Sequence, residues 1–510
     1  MMLRWEVIAF TIVILLAYLA LRWPFFNLPL HIDTGFYVSN HTICKRRIDF
    51  SKGWNANFAG CSKVLPEFFY SMVYLLHGGG KYKFYSRFYC SLYNYATAIA
   101  VGWGTYLISG RNDVLYYYFG VITYCLLSSE PHYGVYFENA EQFELLFQTS
   151  GILLVCQGIQ NDNVYFIGAG FGFWFFNGFF VKLSSMISAS ILAIAVGWFF
   201  PMSLVPIIVS FLVTFTSYFV WILVNKQNFL SLLKPLIGHE YTAGHRVSFK
   251  SYLLRFLEKV QFTYRIIISY PIIPIFAILG LFIMDNEQRF FVLLYFTVLV
   301  PVYFFQAANV WYYLIPFIAP VGMAAAFGAD WLFSKNATAA FLVYFFGFVW
   351  LAVHIFRSYK DLFFGSPTLV NLYAWKPYGA YMAEKNLQLE KAVPLIRQYV
   401  KAKSFFIFGL WNQAYVLLET SYDTPLISAA PWLDHMVPNW QLELNKRFIN
   451  DPPQFLLDTD HCLDVEIIKT DLGIEYKLTN TFKPDFQLFA LKKTASIEKI
   501  NLNCKPSIFN

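Results

Sequence analysis

The sequence predicts a polytopic α-helical membrane protein of about eleven transmembrane helices with a C-terminal α/β soluble domain, and three observations predict it. Of the 510 residues, 57% are hydrophobic and only 14% charged, against roughly 25% charged in soluble domains. Apolar runs of about 17–25 residues, each able to cross a ~30 Å hydrocarbon core, recur through the first two thirds. From about Arg357 the composition changes: charges return, and short apolar runs alternate with helical patterns.

Arg4 opens the first apolar run, Val7–Leu21, and no small-residue cleavage site follows, so this segment is expected to stay as an anchor. The spans fall near Val7–Phe25, Tyr89–Ser109, Val114–Ser128, Glu141–Ile159, Val164–Val181 and Ser185–Phe200. They continue near Leu204–Val224, Arg265–Met284, Arg289–Phe305, Tyr312–Phe333 and Ala339–Phe356. The fifth and sixth read equally well as one broken span. Most connections are short, such as Gly110–Asp113 and Ser334–Thr338, but two are long, about 27–88 and 225–264. An odd number of crossings puts both long loops and the C-terminal region on one face.

Within the first loop, Pro66–His77 is apolar and aromatic but too short to span, as expected of a helix lying in the interface. The second loop mixes Lys226, Lys234, Arg246, Lys250, Arg255 and Lys259 with Leu and Phe at helical spacing, a basic amphipathic pattern at headgroup level. The membrane domain thus covers 1–356 and the α/β domain 357–510. In the latter, Ser404–Phe408, Pro425–Ser428, Gln454–Leu457 and Phe486–Leu491 read as strands, and Asn412–Glu419 and Gln441–Phe448 as helices. Gly409 follows a strand as a turn residue, and no glycine-rich phosphate loop is present.

The net charge of +7 is spread along the chain, which argues against nucleic acid as a partner. The 21% aromatic content suits lipid-facing Phe and interfacial Tyr/Trp belts. Seven Cys form no CxxC metal pattern; Cys44 with Cys61 and Cys462 with Cys504 are read as disulfides or free thiols. Orientation stays open. The short-loop face carries Arg4, Arg111, Arg289 and Lys335, while the first long loop holds a larger basic set that would count as cytoplasmic.

Several polar residues fall where chemistry can take place. Asp33, in His31-Ile32-Asp33-Thr34-Gly35-Phe36-Tyr37, follows the first span and is either a helix cap or a carboxylate facing a cavity. Lys63 precedes the proline-started helix, where an ammonium and free amides suit a phosphate, or it snorkels. After the third span come Glu130-Pro131-His132-Tyr133 and Glu138-Asn139-Ala140-Glu141-Gln142-Phe143-Glu144. Glu144 lies a turn inside an apolar run, a depth at which charge is functional by default. Lys182 ends the fifth span as a snorkelling lysine or a ligand for an anion, and Tyr312 and Tyr313 enter the tenth as belt residues or substrate contacts. Carboxylates and cations from three connections therefore meet on one face, which suits an anionic lipid phosphate held by Lys/Arg beside a carboxylate base.

The order of these pieces resembles the C-type integral membrane glycosyltransferases, which include the protein O-mannosyltransferases and the bacterial aminoarabinose transferases acting on lipid A. The likeness spans nearly the whole chain. Asp33 resembles the acidic residue of the first outer loop, and Lys63-Val64-Leu65-Pro66 partly resembles a Lys-Pro-Pro stretch. Arg87 is similar to a recurring Arg at the second span, Glu141 to a second acidic position, and Lys182 to a lysine after the fifth span. Tyr312-Tyr313-Leu314-Ile315-Pro316 resembles a Tyr-x-x-x-Pro signature.

The resemblance implies inverting transfer of a sugar from a polyprenyl-phosphate donor to a hydroxyl of a glycan, lipid or protein acceptor. Asp33 and Glu141 would be catalytic, with Asp33 the base. Lys63, Arg87 and Lys182 would hold the donor phosphate, and His132, Glu138, Tyr312 and Tyr313 would touch substrate. It further implies a bacterial inner membrane with the active site and C-terminal domain outside the cytoplasm. Asp33 lacks the paired acidic neighbour of the mannosyltransferases. Ser62 stands where some bacterial relatives carry a metal-binding Glu, so no cofactor is assigned and a divalent metal stays open. The competing readings are a lipid or glycolipid flippase or transporter, which should show two related halves, and a non-catalytic membrane scaffold.

Overall fold

The computed structural model describes residues 5–27, 64–111, 113–130, 139–224, 270–305, 311–364, 378–400, 404–409, 413–419, 428–429, 440–459, 463–482 and 486–493. Single positions at 30, 38 and 411 and several between 253 and 267 are also described. The chain divides into two compact units: 1–28 with 84–221 and 247–381, and 29–83 with 222–246 and 382–510.

Each apolar segment expected from the sequence coincides with a helix. In chain order these are α1 (Trp5–Arg22), α2 (Val64–Ser109), α3 (Leu115–Ser128), α4 (Glu141–Gln160), α5 (Val164–Phe176), α6 (Ser185–Phe199) and α7 (Leu204–Val224). They continue as α8 (Ile272–Ile283), α9 (Asn286–Phe305), α10 (Ile318–Lys335) and α11 (Ala337–Phe364). Helices are the expected solution, because in hydrocarbon every backbone N–H and C=O must be satisfied within its own segment. Among the described residues, four stretches are both long and apolar enough to cross a membrane: Trp5–Phe26, Val164–Val181, Pro201–Val224 and Leu314–Lys335. Four shorter apolar helices accompany them: Leu115–Ser128, Ser185–Phe199, Ile272–Ile283 and Ala337–Val353.

The first unit is organised around α10. Most of the Leu314–Lys335 stretch that contains it is buried, whereas the Pro201–Val224 stretch is largely exposed and leaves Val205, Ile208, Leu212 and Val213 facing outward. Burial of α10 depends on small residues. Ala319, Ala324, Ala325, Ala326, Gly328 and Ala329 let neighbouring backbones approach closely. A Cβ on Gly280 of α8 would collide with the Ala324 carbonyl, and one on Gly328 with the carbonyl of Phe276. Backbone cannot yield as a side-chain tip can, so Gly280→Leu is expected to destabilise by at least the ~1–3 kcal/mol of a typical overpacking. A lowered unfolding midpoint in detergent would show it; an unchanged midpoint would mean the two helices are not in this contact.

A helix is present over the expected Pro66–His77: α2 is two helical segments, Val64 to His77 and Gly79 to Ser109, separated at Gly78 (φ 69°, ψ 169°), a backbone region open essentially to glycine. Lys259, from the basic amphipathic stretch, is buried within the protein. Its Nζ donates to the Tyr303 carbonyl at 2.8 Å and lies 5.3 Å from the centre of that ring. The remaining basic residues of that loop, and Cys44, Cys61, Cys462 and Cys504, lie outside the described residues, while Cys90, Cys125 and Cys156 are buried free thiols.

The second unit contains a five-stranded sheet built from β1 (Phe405–Phe408), β2 (Ser428–Ala429), β3 (Phe455–Asp458), β4 (Glu475–Phe482) and β5 (Phe486–Lys493). The spatial order is β2-β1-β3-β5-β4. β1 pairs parallel with β2 and β3, and β5 pairs antiparallel with β3 and β4. Strand alternation sends Phe406, Phe408 and Leu456 toward α14 (Trp440–Asn450) and α15 (Val465–Leu472). The intervening Phe405, Ile407, Phe455 and Leu457 pack on α12 (Tyr378–Val400) and α13 (Gln413–Leu418). Four expected strands and two expected helices are therefore present. The helices α12 and α15 and the strand β4 were not expected; β4 is exposed through its middle and owes its form to pairing with β5.

Candidate functional site

A buried charged cluster forms where three helix ends of the first unit converge. The α4 helix opens with Glu141 and Glu144 in its first turn, where the helix dipole favours carboxylates. The Asn139 side chain accepts the Gln142 N–H at 3.2 Å and steadies that end. On the neighbouring segment α5 does not simply stop. It widens into a single π-turn, Asn177–Val181, whose Asn177 carbonyl accepts the Lys182 N–H at 2.9 Å. Such turns shift the register of everything after them. Lys182 leaves this one extended (φ −155°, ψ 116°), and its carbonyl accepts the Ser185 N–H as α6 begins.

The Lys182 ammonium consequently points inward. Its Nζ lies 2.7 Å from Glu141 Oε1 and 3.9 Å from Glu144 Oε1, with all three side chains no more than 3% exposed. Lys182 is thus turned into the bundle toward two carboxylates. Glu144 Oε2 accepts the Ser185 hydroxyl and, at 3.1 Å, the Gln148 amide. Two carboxylates thus face one ammonium. Glu141 Oε2, Gln148 Oε1, the Asn177 amide and the Ser188 hydroxyl are buried without a hydrogen-bond partner. Buried polar atoms usually find partners, and this many in one region gives the end of the bundle a polar interior.

The same end is tied across α1, α2 and α3. Gln142 accepts from Asn94 at 2.9 Å and donates to Cys90 Sγ at 3.3 Å, while Asn94 Oδ1 accepts the Tyr124 hydroxyl at 3.4 Å. Arg87, one turn before Ser91 on α2, is 1% exposed and donates from Nη1 to the Phe25 carbonyl at 2.9 Å. A second buried arginine, which sequence reading missed, closes α1. Arg22 donates from Nη1 to the Tyr18 hydroxyl, and Tyr18 in turn meets Ser128 Oγ at 3.2 Å. Arginine in the last turn of an apolar helix reads as an interface anchor, so only its 1% exposure distinguishes it.

Of the expected site residues, the structure brings Glu141 and Lys182 into contact and buries Arg87 in the same unit. It adds Glu144, Ser185 and Gln148 as their neighbours; the intramembrane depth of Glu144 was the signal available for it. Tyr312 and Tyr313 belong to a 3₁₀ turn, Trp311–Phe317, leading into α10. Asp33, Lys63, His132 and Glu138 lie outside the described residues. Among the described residues no group of His, Cys, Asp or Glu is arranged to hold a metal ion.

Fold and site together define a polytopic integral membrane protein with a buried ionic cluster at one end of its helical bundle and an α/β domain at its C-terminus. No protein-family model matches the sequence, and no curated protein is significantly similar to it. The fold is shared with a solved structure, that of ArnT from Cupriavidus metallidurans bound to undecaprenyl phosphate. The likeness has a TM-score of 0.59 at 12% identity and covers 94% of this chain and 97% of that one.

Proposed function

We propose that this protein is a glycosyltransferase that moves a sugar from a polyprenyl-phosphate-linked donor to an acceptor hydroxyl on the outer face of a bacterial inner membrane, with inversion. The observation that carries the reading is the buried cluster of Lys182 with Glu141 and Glu144, in a bundle whose fold is shared with a protein crystallised with undecaprenyl phosphate. Eleven crossings would put the first loop, the second loop and the C-terminal domain on that outer face.

In this mechanism the acceptor oxygen attacks the anomeric carbon as the bond from that carbon to the phosphate oxygen breaks. Asp33 takes the hydroxyl proton, and the polyprenyl phosphate departs with the bonding electron pair. Lys63, Arg87 and Lys182 offset the charge that accumulates on the leaving phosphate. Glu141 is the second carboxylate of the site: its 2.7 Å contact holds the Lys182 ammonium in one direction. His132, Glu138, Tyr312 and Tyr313 contact the sugar or the acceptor.

The test is a transfer assay with the purified protein in liposomes, given radiolabelled polyprenyl-phosphate sugars and a membrane extract from the source organism. Label appearing in a new product is the expected result. Label that crosses the bilayer while still attached to its polyprenyl carrier would replace this reading with that of a flippase.

A further inference from the structure

The guanidinium of Arg22, at the end of α1, is buried with only one of its nitrogens engaged. Nη1 donates to the Tyr18 hydroxyl, and the guanidinium carbon lies 5.1 Å from the centre of the Tyr18 ring. Nε and Nη2 are buried and have no hydrogen-bond partner. Those two nitrogens form the side-on edge of the guanidinium, where parallel N–H groups match two oxygens of one phosphate or carboxylate. The edge suited to an oxyanion is thus the one without a partner. Among the described residues no carboxylate forms an ion pair with Arg22.

A cation held in this way is costly. A guanidinium does not give up its proton in proteins, and a charge taken out of water without a counter-charge carries a penalty that one hydroxyl and one ring face do not offset. Tyr18 in turn meets Ser128 Oγ at 3.2 Å, at the C-terminal end of α3, which adds no more than the partial charge of a helix dipole. Arg87 approaches the same place: its Nη1 donates at 2.9 Å to the Phe25 carbonyl, in the turn Trp23–Asn27 that directly follows Arg22. Two buried arginines therefore adjoin one turn. Along α1, Ile12, Val13, Leu16 and Trp23 are exposed, an apolar flank suited to lipid. Arg22 falls near the end of the apolar stretch Trp5–Phe26, the level at which a lipid phosphate lies.

We propose that Arg22 is a further phosphate-binding residue, which takes two oxygens of the polyprenyl-phosphate lipid on its Nε–Nη2 edge, beside Arg87. The proposal rests on the reading of the protein as a polyprenyl-phosphate-dependent transferase and adds the group that grips the phosphate at two points. During transfer the phosphate passes from a diester with one negative charge toward a monoester with nearly two. The grip of Arg22 therefore strengthens as the leaving group departs.

The test titrates the full-length protein in detergent with undecaprenyl phosphate and, as the uncharged control, undecaprenol, comparing wild type with Arg22→Met and Arg22→Lys. Without lipid, Arg22→Met is expected to unfold at or above the wild-type temperature, because an apolar side chain replaces an unpaired buried charge. Its Kd for undecaprenyl phosphate, read per folded molecule, should rise about 10–100-fold, with no change for undecaprenol. Arg22→Lys keeps the charge and loses the two-point edge, so it should recover only part of the affinity. Unchanged affinity for undecaprenyl phosphate in both variants would overturn the proposal. An equal loss toward undecaprenol would overturn it too, since packing and not charge would then be at work. A lipid-free midpoint that falls while affinity holds would make Arg22 a structural anchor, and wild type that binds the phosphate no better than the alcohol would leave it no ligand. If the phosphate binds through Arg22 but wild type transfers no sugar, the transferase reading alone fails.

Discussion

Lys182→Met is expected to lower the unfolding midpoint in detergent sharply and to abolish transfer. The substitution keeps most of the side-chain volume, so its effect reports on charge. Without the ammonium, Glu141 loses its 2.7 Å contact, and its other oxygen already has no partner. Glu144 keeps Ser185 and Gln148 but loses the nearby cation. Breaking a buried ion pair from one side costs about 3–5 kcal/mol, because an uncompensated charge is left in a low-dielectric site. The double variant Lys182→Met/Glu141→Gln removes the stranded charge. It is expected to recover most of the lost stability and none of the transfer, separating the structural role of the pair from its role toward the donor. A single variant that unfolds at the wild-type temperature would show that the pair carries no energetic weight.

Asp33→Asn is expected to reduce kcat by about 10²–10⁴-fold, the usual contribution of a positioned general base, without changing the unfolding midpoint. The choice of asparagine separates the two readings of this residue. Asn is as good an N-cap as Asp, so a capping role survives the substitution. A carboxamide cannot take up the acceptor proton, so a base does not survive it. Full transfer by Asp33→Asn would return Asp33 to the cap and require another carboxylate as base. Glu141, already engaged with Lys182, would then be the next to test.

Much of the fold was legible in the sequence because each membrane segment announces itself. Val164–Val181 and Leu204–Val224 are long and apolar, and the free energy of placing such a segment in lipid is close to a sum over its own residues. The strands around Phe405, Phe455 and Phe486 were legible for a related reason: each is a short apolar run buried by its immediate neighbours. β4 was not, since the exposed centre of Glu475–Phe482 has no apolar signature and only β5 beside it makes it a strand. Of Gly78, Gly79 and Gly80 only Gly78 adopts a conformation other residues avoid, so α2 breaks there while Gly79 and Gly80 stay helical.

By itself the sequence determined the class of protein, the positions of the helices, the presence of an α/β domain and the residues with charge to spare near helix ends. Only the tertiary structure decided which of those charges meet. Lys182 and Glu141 are 41 residues apart, and the Glu390 carboxylate of α12 accepts the ammonium of Lys83, 307 residues away, at 2.8 Å. Burial of an apolar segment depends on composition, which can be read locally. A hydrogen bond or ion pair depends on two backbones arriving within about 3 Å of each other, and here that is set by a π-turn, by small residues along α10 and by the docking of α12 on its sheet.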